Sequence, residues 1–274
     1  MMSGFSDRTC FAIAVVLYGL SAGYSIFLLR REVRHHNRLN YFLLLAAFGF
    51  HTAAMLLRGF SLERCPINNL YEATTFVAWT MTASYLAIGI WSKLRFLGAF
   101  AAPVLFAIGI FALLTPSDVG TAGKPEFTGG WLTLHVAMFA LAYGAFGLSS
   151  VAGLMYLTQE RDLKLHKIRA LLSFMPPIQR LELVMRALLV TGFVLLSGAL
   201  VISVLFMQQQ GRALTADFKI LWSIFVWALY FALILMRWKF WRGGRRFAWG
   251  SIAAFAFVLL TFWGSSLMSP MHRP

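Results

Sequence analysis

Charged residues are scarce in this 274-residue chain, at 12% of the sequence, whereas hydrophobic residues make up 59%. Soluble domains carry roughly 25% charged and about 45–50% apolar residues. A chain of this composition cannot keep its apolar side chains inside a water-facing shell, so a soluble enzyme and a disordered protein are excluded. The net charge of +14 is therefore attributed to basic loops of a membrane protein and not to nucleic-acid binding. We expect no nucleic acid as a partner.

Cysteine is also nearly absent, with only Cys10 and Cys65 in the chain. The sequence holds no Cys-x-x-Cys, no His-x-x-x-His and no acidic cluster, so neither a zinc site nor a di-iron site is predicted. Both cysteines are expected on the outer side of a membrane, where a disulfide can persist. They form a pair or remain as two free thiols.

Long apolar runs are abundant. A spanning helix needs about 20 mostly apolar residues. Continuous rather than alternating runs favour helices over strands. The sequence therefore predicts an all-α, polytopic integral membrane protein with eight transmembrane helices, forming a single transmembrane domain over residues 1–274. The charged connection 159–186 is expected to form a short surface helix and a turn. The eight predicted spans are 9–29, 39–57, 70–91, 96–115, 131–158, 187–207, 220–236 and 247–268.

Lysine and arginine are unevenly divided between the loops on the two sides. One set of alternate loops holds 17 of these residues and the other set holds 7. Basic residues collect in cytoplasmic loops, so the first set is predicted to be cytoplasmic. Both termini are then outside, in the periplasm of a bacterium with the protein in its inner membrane. An alternative interpretation of the charge is a polybasic lipid or RNA site within 159–186 or 241–246.

Three histidines are predicted to lie on the outer side or in the outer half of the membrane. His135 is four residues into the fifth span, His272 follows the last span, and His51 is six residues below the outer end of the second span, about 9 Å deep. An ionisable residue within a span indicates a functional site, and a neutral imidazole can ligate haem iron. The alternative is that His51 and His135 hydrogen-bond neighbouring helices. Glu72, just inside the third span, is expected to cap or orient a group at the outer surface.

Several short motifs then indicate a family by their order and spacing. The chain resembles the cytochrome c assembly transmembrane family of CcsA- and CcmC-like haem-handling proteins, over about residues 40–272, and is most similar to its HemX/YpjD-type branch. The motifs are NLYEA at 69–73, WLTLHV at 131–136, Tyr156-Leu157 with Leu163-Lys164, WALY at 227–230 and WRGGRR at 241–246.

The resemblance implies a haem site built from an outer loop and two flanking histidines. His135 and His272 would be the two ligands of the haem iron, with Trp131 and Asp217 beside them. The outer loop at 207–219 has no tryptophan, where haem-exporting relatives carry a WGxxWxWD signature, and the HemX-like branch lacks that signature too. Met236 stands where exporting members have a histidine, as a haem ligand or as an ordinary core residue.

These features lead to one prediction of function and two alternatives. We expect a haem-binding protein of the cytochrome c biogenesis type, not an enzyme, that holds a non-covalent b-type haem at the outer face through His135 and His272, with His51 as the substitute ligand. The first alternative is a membrane scaffold that regulates haem synthesis or cytochrome assembly and binds no haem. A small transporter is weaker, because no inverted repeat is visible. The expected partners are membrane lipid and other cytochrome c assembly or haem-synthesis proteins.

Overall fold

The computed structural model describes residues 6–31, 38–62, 70–90, 92–115, 130–165, 176–209, 218–240 and 244–268. All regular structure in these ranges is helical, which confirms the all-α, polytopic prediction. The eight long helices are α1 (Asp7–Arg31), α2 (Arg38–Leu62), α3 (Leu70–Gly89), α4 (Gly98–Leu114), α5 (Gly130–Lys164), α6 (Ile178–Gln209), α7 (Phe218–Phe240) and α8 (Gly244–Met268), and a 3-10 helix (Ser92–Leu97) leads into α4.

Each predicted span coincides with one of these helices, because a backbone in lipid must satisfy its hydrogen bonds within its own segment. Within the described residues, six helices are long and apolar enough to cross a membrane, namely α1, α2, α4, α5, α6 and α7. The other two long helices are α3, which is richer in polar residues, and α8, whose side chains are described only in part. α3 carries Glu72 and four threonines and is mostly buried inside the bundle. α8 begins with two arginines, and its side chains are described only as far as Thr261.

Three helices are longer than their apolar runs. α2 ends at Leu62 and not at 57, α5 continues to Lys164, and α6 begins at Ile178, nine residues before the predicted span. The two described ends of the connection 159–186 extend α5 and α6, and the predicted short surface helix stays a prediction because residues 166–175 lie outside the described ranges. At 1.5 Å per residue, α5 is about 52 Å long, well beyond the roughly 30 Å of a hydrocarbon core.

α5 is the central helix of the bundle, with α3, α6 and α8 packed against it. Its antiparallel contact with α6 repeats every seven residues. His135 meets Ala199, Ala142 and Phe146 meet Gly192, and the Ser149 hydroxyl donates to the carbonyl of Met185 at 2.9 Å. A seven-residue repeat keeps one seam facing its partner helix, and small residues let the two backbones approach closely. A Cβ atom on Gly192 would lie 2.7 Å from the Phe146 ring.

The side of the membrane on which the termini lie is still a prediction, and a fusion experiment tests it. A reporter that is active only in the cytoplasm should be silent when fused after Pro274, because the 17-to-7 division of basic residues places that end outside. The same reporter fused after Gly243, in a loop of the basic set, should be active. Activity at Pro274 with silence at Gly243 would reverse the orientation.

Candidate functional site

His135 is half-buried near the start of α5 and is fixed by one hydrogen bond to α6. Its Nδ1 atom lies 2.8 Å from the backbone oxygen of Ala199. A carbonyl oxygen can only accept a hydrogen bond, so Nδ1 carries the proton and the lone pair of the neutral ring is on Nε2. Histidines that ligate metals commonly donate their other ring nitrogen to a backbone carbonyl in this way, which fixes the tautomer and the ring orientation.

The sequence of the α5–α6 seam explains why this bond can form. Ala199 is fully buried and adds only a methyl group to the α6 surface, so the imidazole reaches its carbonyl oxygen. Gly198, the residue before it, receives the end of the Met138 side chain, and a larger residue there would meet that methyl group. Small residues at 198 and 199 thus allow His135 to lie close against α6.

Aromatic side chains continue below His135 along the same face of α5. The ring of Phe139 lies 5.9 Å from the imidazole, and the Tyr143 ring stacks on Phe139 with 4.9 Å between centroids. The hydroxyls of Tyr143 and Tyr230 and the indole Nε1 of Trp222 are buried without a hydrogen-bond partner among the described residues. The half of the bundle formed by α5–α8 therefore contains both stacked aromatic rings and buried hydrogen-bond donors that have no partner among the described residues.

His51 has a different environment, with neighbours on α1 and α3. It is fully buried, its Nδ1 lies 3.0 Å from the Tyr18 hydroxyl, and that hydroxyl lies 3.0 Å from Thr82 Oγ1. The Phe11 ring covers the imidazole at 4.9 Å between centroids. Because α2 runs to Leu62, His51 is eleven residues from the helix end, about 16 Å along the axis, and lies near the middle of α2. Its place in the outer half of the membrane stays a prediction.

The structure does not bring the two described histidines together, since His51 contacts α1 and α3 and His135 contacts α6. A flat macrocycle would have to displace Phe11 or Tyr18 to reach His51. These surroundings favour the alternative in which His51 joins neighbouring helices. The backbone of Trp131 is part of α5, but its side chain, Asp217 and His272 lie outside the described residues, and so do the loop at 210–217 and Cys65. Their predicted roles stay predictions. The thiol of the buried Cys10 is free, which favours the alternative of two free cysteines.

Met236 is neither a core residue nor directed into the bundle, as its side chain is 43% exposed on α7. The interpretation of Met236 as an ordinary core methionine is therefore wrong. α7 packs only against α6 and α8 among the main contacts of the described helices, and so most of its surface faces away from the protein. An exposed thioether on that surface is suited to lipid contact and not to an axial ligand buried beside His135.

A second polar cluster, which we call the Arg58 cluster, joins α1, α2 and α3 and was not predicted from the sequence as a unit. The Arg58 guanidinium donates to Glu72 Oε1 at 2.9 Å and to Asp7 Oδ2 at 3.0 Å, and it lies 5.0 Å from the centre of the Tyr71 ring. Glu72 is fully buried and Arg58 is 8% exposed. Glu72 thus binds and orients the guanidinium of Arg58 inside the protein, and its predicted place near the outer surface stays a prediction. The sequence did hold a signal for this cluster, because the basic Arg58 lies near the end of α2 and the acidic Glu72 lies near the start of α3.

The fold and this geometry define a class, a polytopic helical membrane protein with an oriented histidine near one end of its longest described helix. Residues 67–272 match the family described as cytochrome C assembly protein. That match covers most of the chain, and the chain belongs to this family, as the motifs predicted.

Individual relatives show two kinds of similarity. Protein HemX of Brevibacillus brevis is 25% identical over 259 residues, which is 94% of this chain and 95% of that protein. The cytochrome c biogenesis protein CcsA of Synechococcus sp. (strain JA-2-3B'a(2-13)) is 38% identical over 117 residues, 41% of this chain and 33% of that protein. The CcsA of Gloeobacter violaceus is 30% identical over 55% of this chain and 45% of its own length. The chain thus spans about a third to a half of these CcsA relatives, whereas its match to HemX extends over nearly the whole of both chains, which confirms the HemX-type branch.

Proposed function

We propose that this protein is a non-catalytic, haem-binding component of cytochrome c biogenesis that holds haem at the outer face of the bacterial inner membrane. Membership of the cytochrome c assembly protein family supports the role in biogenesis. The hydrogen bond from His135 Nδ1 to the carbonyl of Ala199 carries the proposal of haem binding, because it leaves the lone pair on Nε2 and holds the ring in one direction.

The described residues fit a haem in two respects. His135 offers an imidazole nitrogen, and the stacked rings of Phe139 and Tyr143 next to it offer an aromatic wall. A bound haem supplies a redox-active iron with axial positions for protein ligands. In this proposal His135 would bind the iron through Nε2, because its Nδ1 proton is directed to the carbonyl of Ala199, and His272 would be the second ligand.

The alternative is a scaffold that binds no haem and acts by contacting assembly or haem-synthesis proteins. The absence of tryptophan from the loop at 207–219, where haem-exporting relatives carry their signature, supports this alternative. In either case other assembly proteins are the proposed partners.

One absorbance spectrum separates the two functions. The full chain, purified in detergent and supplied with haem, should show a Soret band that persists through gel filtration, because an axial imidazole holds the iron in place. A protein that elutes as a folded species with no Soret band after haem supplementation would contradict haem binding and favour the scaffold.

A further inference from the structure

The exposed face of α6 is apolar along most of its length but carries an arginine near the start of its apolar run. Leu183 is 68% exposed and Val194 is 62% exposed, and Val190 lies between them on the same face. Arg186 is exposed between Leu183 and Val190. It directly precedes the predicted apolar run at 187–207, so its side chain begins at the edge of the hydrocarbon layer.

Contacts across three helices fix the level of Arg186 independently of hydropathy. The Ser149 hydroxyl bonds both the carbonyl of Met185 on α6, at 2.9 Å, and the Ser251 hydroxyl on α8, at 3.0 Å. Trp249, two residues from Ser251, is 56% exposed, and exposed tryptophans concentrate at the membrane–water interface. Arg186 therefore lies within about one helical turn of an interfacial tryptophan.

The nearest acidic residue along α6 does not neutralise Arg186. Glu182, one turn earlier, forms an ion pair with Arg237 of α7. Arg186 makes no ion pair with another described residue, and the same holds for the exposed Arg180 at the first turn of α6. A cation at the hydrocarbon edge is costly unless its head extends to the interface and finds an anion there.

We propose that Arg186, together with Arg180, binds the phosphate of an anionic phospholipid at this end of α6. A guanidinium presents a planar fork of donors that matches a phosphate in a bidentate arrangement. The exposed Val190 and Val194, which follow Arg186 on the hydrocarbon side of the same face, offer an apolar surface for the upper part of an acyl chain. This site does not depend on haem binding or on which side of the membrane it faces.

Lipid retention by the purified full chain tests this site. The protein in detergent is mixed with equal amounts of phosphatidylglycerol and phosphatidylcholine, and the bound lipids are counted by native mass spectrometry. The wild type should retain phosphatidylglycerol preferentially. Arg186→Gln should lower that preference about fivefold, the factor that corresponds to about 1 kcal/mol per basic residue near a membrane surface.

Arg161 provides a matched control, because it is also exposed and makes no ion pair with a described residue. It lies twelve residues beyond Ser149 on α5, about 18 Å along the axis, and so past the level of the headgroups that Arg186 reaches. Arg161→Gln should leave the preference for phosphatidylglycerol unchanged. Arg186→Lys keeps the positive charge and should retain most of that preference. It serves as the second variant if Arg186→Gln fails to fold. An unchanged preference in Arg186→Gln, or an equal loss in Arg161→Gln, would overturn the site.

Discussion

Replacing His135 with alanine should abolish or strongly shift the Soret band of the haem-loaded protein while membrane insertion stays intact. The expected effect is large because the variant removes the one described imidazole whose Nδ1 proton is fixed by a carbonyl, with the lone pair on Nε2. His135 is half-buried at the α5–α6 seam, so its removal leaves the core of the bundle in place. The measurement is an absorbance spectrum of the purified variant after haem supplementation and gel filtration.

Two further variants distinguish ligation from packing. Asparagine at 135 can still donate an N–H to the carbonyl of Ala199 but offers no ligating ring nitrogen, so His135→Asn should lose the band as fully as His135→Ala. His51→Asn keeps a donor toward the Tyr18 hydroxyl, and its spectrum should match that of the wild type. A normal band in His135→Asn would show that this position only packs, and loss of the band in His51→Asn would transfer the ligand role to the second helix.

The positions of the helices could be predicted from the sequence because lipid imposes a simple rule on them. Every spanning backbone must be helical and mostly apolar, and the apolar runs mark where that rule applies. The helix ends could not be predicted in the same way. Hydropathy locates the membrane boundary, but α5 continues past it to Lys164 as a partly buried helix with an ion pair between Glu160 and Lys164 at 2.7 Å. An intrahelical pair of this kind supports a helix outside the membrane.

Residue types and motifs predicted which histidines could form the candidate site, but they did not predict which residues surround each of them. Their positions within spans single out His135 and His51 alike, and only the WLTLHV motif ranks His135 first. Only the register between helices shows that one bonds a carbonyl of α6 while the other lies between Phe11 and Tyr18. That register depends on the small residues of each seam, such as Gly192 and Ala199, whose partners are distant in sequence. A single sequence does not reveal which distant residues meet.

The Arg58 cluster predicts a large effect on stability. Glu72→Leu should lower the free energy of unfolding by about 3–5 kcal/mol, because removing one partner of a buried ion pair leaves an uncompensated charge in a low-dielectric environment. Glu72 is fully buried and both Nε and Nη2 of Arg58 lie 2.9 Å from its Oε1. Asp7, the other carboxylate of the cluster, has a partly exposed side chain and compensates only in part. The loss is measured as a shift of thermal and denaturant unfolding in a single detergent.

The double variant Arg58→Leu/Glu72→Leu identifies the cause of that loss. Removing both charges replaces a buried pair with apolar side chains, an exchange that is often neutral or stabilising, so the double variant should recover most of the stability lost by Glu72→Leu alone. Lys164→Gln, which breaks the exposed pair with Glu160, should change stability by less than about 1 kcal/mol. If the double variant is as unstable as the single one, the loss comes from the shape of Glu72 in the seam and not from the charge it leaves behind. Recovery would instead establish that an unpaired Arg58 is the destabilising group.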